Sequence, residues 1–302
     1  MFRKLLMLAL LAAIVGFAIF WWLTRPNVLT GPQANLPAGD VARGEQMFWT
    51  SGCASCHAAP KASGDAKRVL AGGVEFKTPF GTFRAPNISP SVEAGIGGWS
   101  DLEFANAMLR GVSPQGEHYY PAFPFTQYAR MTSQDIADLW AYLKTVPASD
   151  NVVADHDIGF PFNVRRGLGL WKLLYLDPSP VVDVGNDPVL LRGRYLVEGP
   201  AHCGACHTPR NPIGGMDKSR WLAGGVSPEG NERIPNITPS DKGIGGWSHA
   251  DIVNALETGF TPEFDSFGSS MADVVENMAK LPKSDLEAMA AYLKAIQPIE
   301  DN

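Results

Sequence analysis

The four cysteines of this 302-residue chain fall in two copies of one five-residue pattern, CASCH at 53–57 and CGACH at 203–207, set 150 positions apart. No other feature constrains the fold so strongly, because a repeated motif that uses every cysteine implies a repeated unit around it. The flanking sequence repeats in nearly the same register. APNISPSVEAGIGGWSDLEFANAMLRG, from Ala85 to Gly111, matches IPNITPSDKGIGGWSHADIVNALETG, from Ile234 to Gly259, with Trp99 opposite Trp247. Thr132 to Val146 matches Lys283 to Ile296 through a shared Ala-Tyr-Leu-Lys. Each copy reads as a helix, the cysteine motif, a long loop, Pro-Asn-Ile, Gly-Ile-Gly-Gly-Trp, a helix, a loop and a final helix.

Helix boundaries are marked. Asp40 caps a helix from Val41 towards Ser51, and Asp187 followed by Pro188 opens its counterpart. Ser100 with Glu103, Ser248 with Asp251, and Ser284 with Glu287 have the spacing of capping boxes. In the final helices, Ile136, Leu139 and Leu143, and likewise Leu286, Met289 and Leu293, recur at helical spacing. No alternating pattern of any length intervenes, so the expected class is all-α with long loops. The boundaries are 1–25 for a membrane anchor or signal segment, 26–39 for a spacer, 40–148 and 187–302 for the two units, and 149–186 for an ordered connector.

Arg3 and Lys4 precede an uncharged run from Leu5 to Leu23. Its nineteen residues span roughly 28 Å as a helix, close to the thickness of a bilayer core. The run ends in Phe20, Trp21 and Trp22, which suit a membrane interface, and no Ala-x-Ala cleavage site follows. A retained anchor is the expectation and a removed secretory signal is the rival. Both send the rest of the chain outward, to the periplasmic face of the inner membrane in a Gram-negative source. The net charge of −6 and the lack of a long basic run exclude nucleic acid as a partner.

Four cysteines in an exported chain usually mean two disulfides. Bridges across two residues, however, stabilise little and leave His57 and His207 unexplained. A catalytic dithiol does not call for the following histidine, and a zinc site would draw its cysteines from two separate repeats. Cys-x-x-Cys-His is the attachment motif of c-type haem. Cys53, Cys56, Cys203 and Cys206 then tether two covalent haem c groups, with His57 and His207 as proximal iron ligands.

The chain beyond the apolar run resembles the dihaem c-type cytochromes that accompany membrane-bound alcohol and aldehyde dehydrogenases. The resemblance is carried by RGEQMFWTSGCASCHAAP, FGTFRAPNISP, GIGGWSDLEFANAMLRGVSPQG, HYYPAFPFTQYARMT, GRYLVEGPAHCGACHTPRN and GSSMADVVENMAKL. It implies two tandem class I cytochrome c domains behind an N-terminal transmembrane helix. In that fold the sixth iron ligand is a methionine from the loop before the last helix, which for the second haem is Met271. The same count from Gly111 reaches Phe123, where related chains often have methionine. Met131 is then the expected substitute at the first haem, His118 is its rival, and an open iron is the third possibility. Asn87, Asn236, Trp99 and Trp247 are candidates for the haem edge or its propionates, with loop and core packing as the bland alternative, and Arg84 for a propionate. His156, His202 and His249 carry no second signal and read as surface or core residues.

The expected function is a membrane-anchored periplasmic carrier of single electrons from a dehydrogenase to quinone, a soluble cytochrome or a terminal oxidase. A dihaem oxidoreductase acting on a small inorganic sulfur compound or peroxide at an open first site is the alternative. A subunit that mainly tethers a catalytic partner differs from the carrier only in emphasis.

Overall fold

Two helix crossings organise the body of the chain. The computed structural model describes residues 1–230 and 232–300, so residue 231 and the last two residues expected in the second unit lie outside it. Helix α1 (Phe2–Leu23) stands apart, with a mean hydropathy of 2.5 and no buried residue. Asp40 accepts the Arg43 amide at 2.8 Å and starts α2 (Val41–Thr50). The first cysteine motif is itself a short helix, α3 (Cys53–His57). Ser100 and Glu103 cap each other's backbone at the start of α4 (Asp101–Arg110). After the single turn α5 (Phe125–Tyr128), Thr132 accepts the Asp135 amide and begins α6 (Ser133–Leu143).

Helices α2 and α6 approach so closely that a Cβ on Gly44 would fall 2.0 Å from the Asp138 carbonyl oxygen. The buried Asp138 carboxylate accepts hydrogen bonds from the Asp40 amide, the Arg43 guanidinium and the Gln134 amide. Burial opposes its ionisation, but these donors prevail and hold its pKa below the ordinary carboxylate range. Its stabilisation is therefore full above the ordinary carboxylate pKa and lost as pH falls through the depressed one. An Asp138→Asn variant is expected to melt at lower temperature at neutral pH and to lose less stability on acidification than the parent. Thermal unfolding followed across the acid range checks both.

In the connector, α7 (Leu168–Tyr175) packs back on the first half, where Lys172 donates to the Arg110 and Gly111 carbonyls at the end of α4. Asp187 accepts the Val189 and Leu190 amides to start α8 (Pro188–Glu198). The second motif forms α9 (Gly204–His207), and a Ser248–Asp251 box caps α10 (His249–Thr258). Helices α11 (Ser269–Met278) and α12 (Lys283–Ala295) complete the chain. The α8–α12 crossing mirrors the first, since a Cβ on Gly193 would fall 1.9 Å from the Ala288 carbonyl oxygen.

Two expectations need correction. Pro282 is the N-cap of α12, so Ser284 lies inside the helix and makes no capping box. The loops are also not free of β-structure. β1 (Glu75–Thr78) and β2 (Gly81–Arg84) form a hairpin joined by β3 (Asp157–Ile158), and β4 (Gly225–Val226) pairs with β5 (Arg233–Ile234). Strands this short leave too few alternating residues to register as a pattern.

The halves are joined through their cores and by polar contacts. One apolar cluster runs from Phe48 and Leu139 through Leu196 to Tyr292. Lys67 reaches across to Asp273 at 2.8 Å and Glu276 at 2.7 Å. The Tyr195 hydroxyl donates to Asp135.

Candidate functional site

Each motif histidine is aimed by the loop that follows it. His57 Nδ1 donates to the Pro86 carbonyl at 2.8 Å, and His207 Nδ1 donates to the Pro235 carbonyl at 2.8 Å. Those prolines open the two Pro-Asn-Ile stretches, so the repeated tripeptide is what orients the imidazoles. A carbonyl partner fixes the proton on Nδ1 and leaves the Nε2 lone pair free. Burial lowers the pKa of both rings and keeps them neutral, the form in which imidazole ligates a metal.

The asparagines of the tripeptides lock this geometry. Asn87 accepts the Ser89 amide and donates to the Ser149 and Asn151 carbonyls. Asn236 accepts the Thr238 amide and donates to Ser240 and to the Ile299 carbonyl. Their side chains are thus engaged with protein. Arg84 is likewise occupied, by Glu75 at 2.8 Å and the Asp155 carbonyl. Trp99 and Trp247 are half-buried against the core, and among the described residues neither indole N–H has a protein partner.

The four cysteines form no disulfide among the described residues. Burial pushes Cys53, Cys56 and Cys203 up to about 12, and Cys206 lies near enough to Cys56 to add to its rise. Cys53, Cys56 and Cys203 keep some accessible surface and Cys206 is exposed. Neutral imidazoles with free Nε2 atoms beside such thiols fit a group tethered by thioethers and ligated by histidine.

The loops after α4 and α10 differ at the position where a distal methionine is expected. Tyr119 N donates to the Gly111 carbonyl at 2.8 Å and Phe267 N to the Gly259 carbonyl at 2.9 Å, so the two loops after α4 and α10 share one geometry. Four residues on, the first loop presents Phe123 and the second Met271. Met271 is half-buried at the start of α11. Phe123 packs against Tyr119 and Tyr128, with ring centroids 5.8 and 5.6 Å away.

The two expected substitutes sit in different surroundings. Met131 is 5% exposed and occupies the place of Leu281 in the second half, a core leucine at 8%. It precedes the Thr132 cap and joins Ile136 in the core, as a hydrophobic staple does. His118 uses Nε2 to donate to the Thr24 carbonyl at 2.8 Å, and its buried Nδ1 has no partner. These are the surroundings from which either residue would reach the first iron.

Other contacts at the sites were not legible in the sequence. The first motif touches the second half directly. Asn277 donates to Ser55, the residue before Cys56, at 2.7 Å. His202, read as a bystander, donates from Nε2 to the Ser51 carbonyl at 3.2 Å, and Tyr128 donates to the same oxygen at 2.8 Å. One hydrogen bond therefore joins the residues flanking Cys53 and Cys203. Arg220 was also missed. Its buried Nε has no partner, and it lines a cleft of about 450 Å³ with Pro209, two residues past His207. The segments KRVLAGG and SRWLAGG repeat, but Arg68 is consumed by Tyr142 and Glu45 whereas Arg220 is left over.

Comparison with known proteins agrees with this chemistry. The cytochrome c family model matches residues 41–147. A diheme cytochrome c-type protein of Cereibacter sphaeroides is 52% identical over 300 residues, covering 99% of this chain and 100% of that one. The fructose dehydrogenase cytochrome subunit of Gluconobacter japonicus is 35% identical over 282 residues, covering 91% of this chain and 57% of that one. The cytochrome c subunit of the quinone alcohol dehydrogenase of Gluconobacter oxydans is 36% identical over 275 residues, covering 86% of this chain and 55% of that one. The chain spans the whole of the first relative and little more than half of the two dehydrogenase subunits.

Proposed function

Because the chain belongs to the diheme c-type cytochromes, with covalently bound haem c, we propose that it is a membrane-anchored carrier of single electrons. The donor is a periplasmic dehydrogenase, and the acceptor is quinone, a soluble cytochrome or a terminal oxidase. Bound haem c supplies the one-electron ferric–ferrous couple. The protein's own contribution is to hold, orient and tune. The single observation that carries the reading is the matched pair of imidazoles, each with Nδ1 committed to a proline carbonyl and Nε2 free, beside paired thiols.

Residues 40–148 and 187–302 are read as two tandem haem-binding units. In the first, Cys53 and Cys56 form the thioethers and His57 is the proximal ligand; in the second, Cys203, Cys206 and His207 take these roles and Met271 is the distal ligand. Trp99, Trp247 and Arg220 are read as donors to propionates, Arg220 Nε being buried without a protein partner. The Ser51–His202 and Ser55–Asn277 contacts fix the separation of the two attachment points, as transfer within one chain requires. α1 is read as a retained anchor in the inner membrane, because Thr24 at its end is fully buried against the body.

The test is haem content. A Cys53→Ser, Cys56→Ser double variant is expected to carry half the covalent haem per chain, measured as pyridine haemochrome, with the remaining haem retaining the spectrum of a methionine-ligated iron. An unchanged haem content would overturn the assignment.

One observation favours a second reading. Phe123 stands where the second half has Met271, which leaves the first site without a thioether and open to exchangeable ligands. On that basis the first site would turn over a small sulfur compound or peroxide. Steady-state assays with thiosulfate, sulfite and hydrogen peroxide separate the two, since the carrier reading expects no turnover without a dehydrogenase.

A further inference from the structure

The connector folds back onto the end of α1. Arg166 donates to the Thr24 hydroxyl at 2.9 Å and to the Trp21 carbonyl at 2.6 Å, and its guanidinium lies 4.1 Å from the Trp21 ring centroid. A Cβ on Gly169 would fall 2.6 Å from the Thr24 Cα, so only glycine lets α7 seat there. Helix α7 thus begins where the apolar helix stops.

Its inner face is satisfied by the body. Gly169 and Lys172 are buried, and Lys172 is spent on two backbone carbonyls. The outer face is not. Leu170, Leu173 and Leu174, at i, i+3 and i+4, are 40%, 62% and 70% exposed. Phe160 and Phe162, just before α7, are 83% and 46% exposed. Apolar side chains clustered in this way mark a surface that is covered by something. Two observations say by what. The patch is continuous with the end of the membrane-length helix through the Thr24 contacts, and cations attend it on the same side, with Arg166 over Trp21 and Arg25 at 5.4 Å from the Trp22 ring centroid. Leucine and phenylalanine beside arginine and tryptophan is the composition of a segment lying in a headgroup boundary.

We propose that the outer face of α7, with Phe160 and Phe162, is a second membrane contact that lies in the phospholipid interface of the leaflet from which α1 emerges. The body is then held by two contacts, with a fixed face towards the membrane, and does not swing on a single tether. This rests on the reading of α1 as a retained anchor.

Photo-crosslinking of the full-length holoprotein in phosphatidylethanolamine–phosphatidylglycerol vesicles tests it. p-Benzoylphenylalanine is placed in separate variants at Ile14 in the anchor, at Leu173 and Leu174 in the patch, and at Val92 and Phe264, which are 74% and 89% exposed elsewhere. Phospholipid adducts, read by mass spectrometry, are expected at Ile14, Leu173 and Leu174 and at least tenfold more abundant there than at Val92 and Phe264. Adducts at Ile14 without adducts at Leu173 and Leu174 would overturn the second contact and leave its surface to a protein partner. Equal labelling at all the body positions would also overturn it. Loss of the Ile14 adduct together with the others would instead overturn the anchor reading on which it rests.

Discussion

A Met271→Leu variant is expected to lower the midpoint potential of one haem by a sizeable part of the roughly 0.8 V range that axial ligation spans and to leave the other unmoved. Methionine opposite histidine favours the reduced iron, and Met271, half-buried at the start of α11, is the proposed ligand of the second haem. A Met131→Leu variant is expected to change neither potential. It copies Leu281, its counterpart, into a site that is already core, and such volume-conserving swaps usually cost less than about 1.5 kcal/mol. Spectroelectrochemical titration of both variants decides between them. A shift in Met131→Leu would show that the staple position is not what fixes this residue.

The second large effect concerns the helix crossings. Gly44→Ala and Gly193→Ala would each place a methyl about 2 Å from a backbone carbonyl oxygen of the partner helix. Neither Asp138 nor Ala288 can move that oxygen without moving α6 or α12, so the helices must separate. The expected cost is about 3 kcal/mol in each case, read from denaturant unfolding of the holoprotein. Gly246→Ala is the control, because a Cβ there meets nothing within 4 Å and is expected to have little effect. Equal stability of all three variants would mean that the crossings are less close than described.

Much of this was legible because it is local. Asp40, Ser100, Asp187 and Ser248 each cap the helix that their spacing announced. What escaped is long-range. The glycines of α2 and α8 are unremarkable until the opposing helix is in place. Pro-Asn-Ile drew attention to its asparagine, yet the proline carbonyl does the orienting, since no sequence pattern says which backbone oxygen a distant imidazole will find. His202 carried no signal because its partner, Ser51, lies 151 positions away in the other half. Ser284 failed as a cap because Pro282 fixes the turn two residues earlier. The difference between the two loops, by contrast, was visible as a break in the repeat at Phe123.

The account turns on that inequality. Low-temperature EPR with magnetic circular dichroism of the fully oxidised holoprotein measures it directly. The expected spectrum contains one low-spin haem with histidine–methionine ligation, lost in Met271→Leu, and a second, inequivalent haem that keeps its spectrum in that variant. Two equivalent histidine–methionine haems would contradict it.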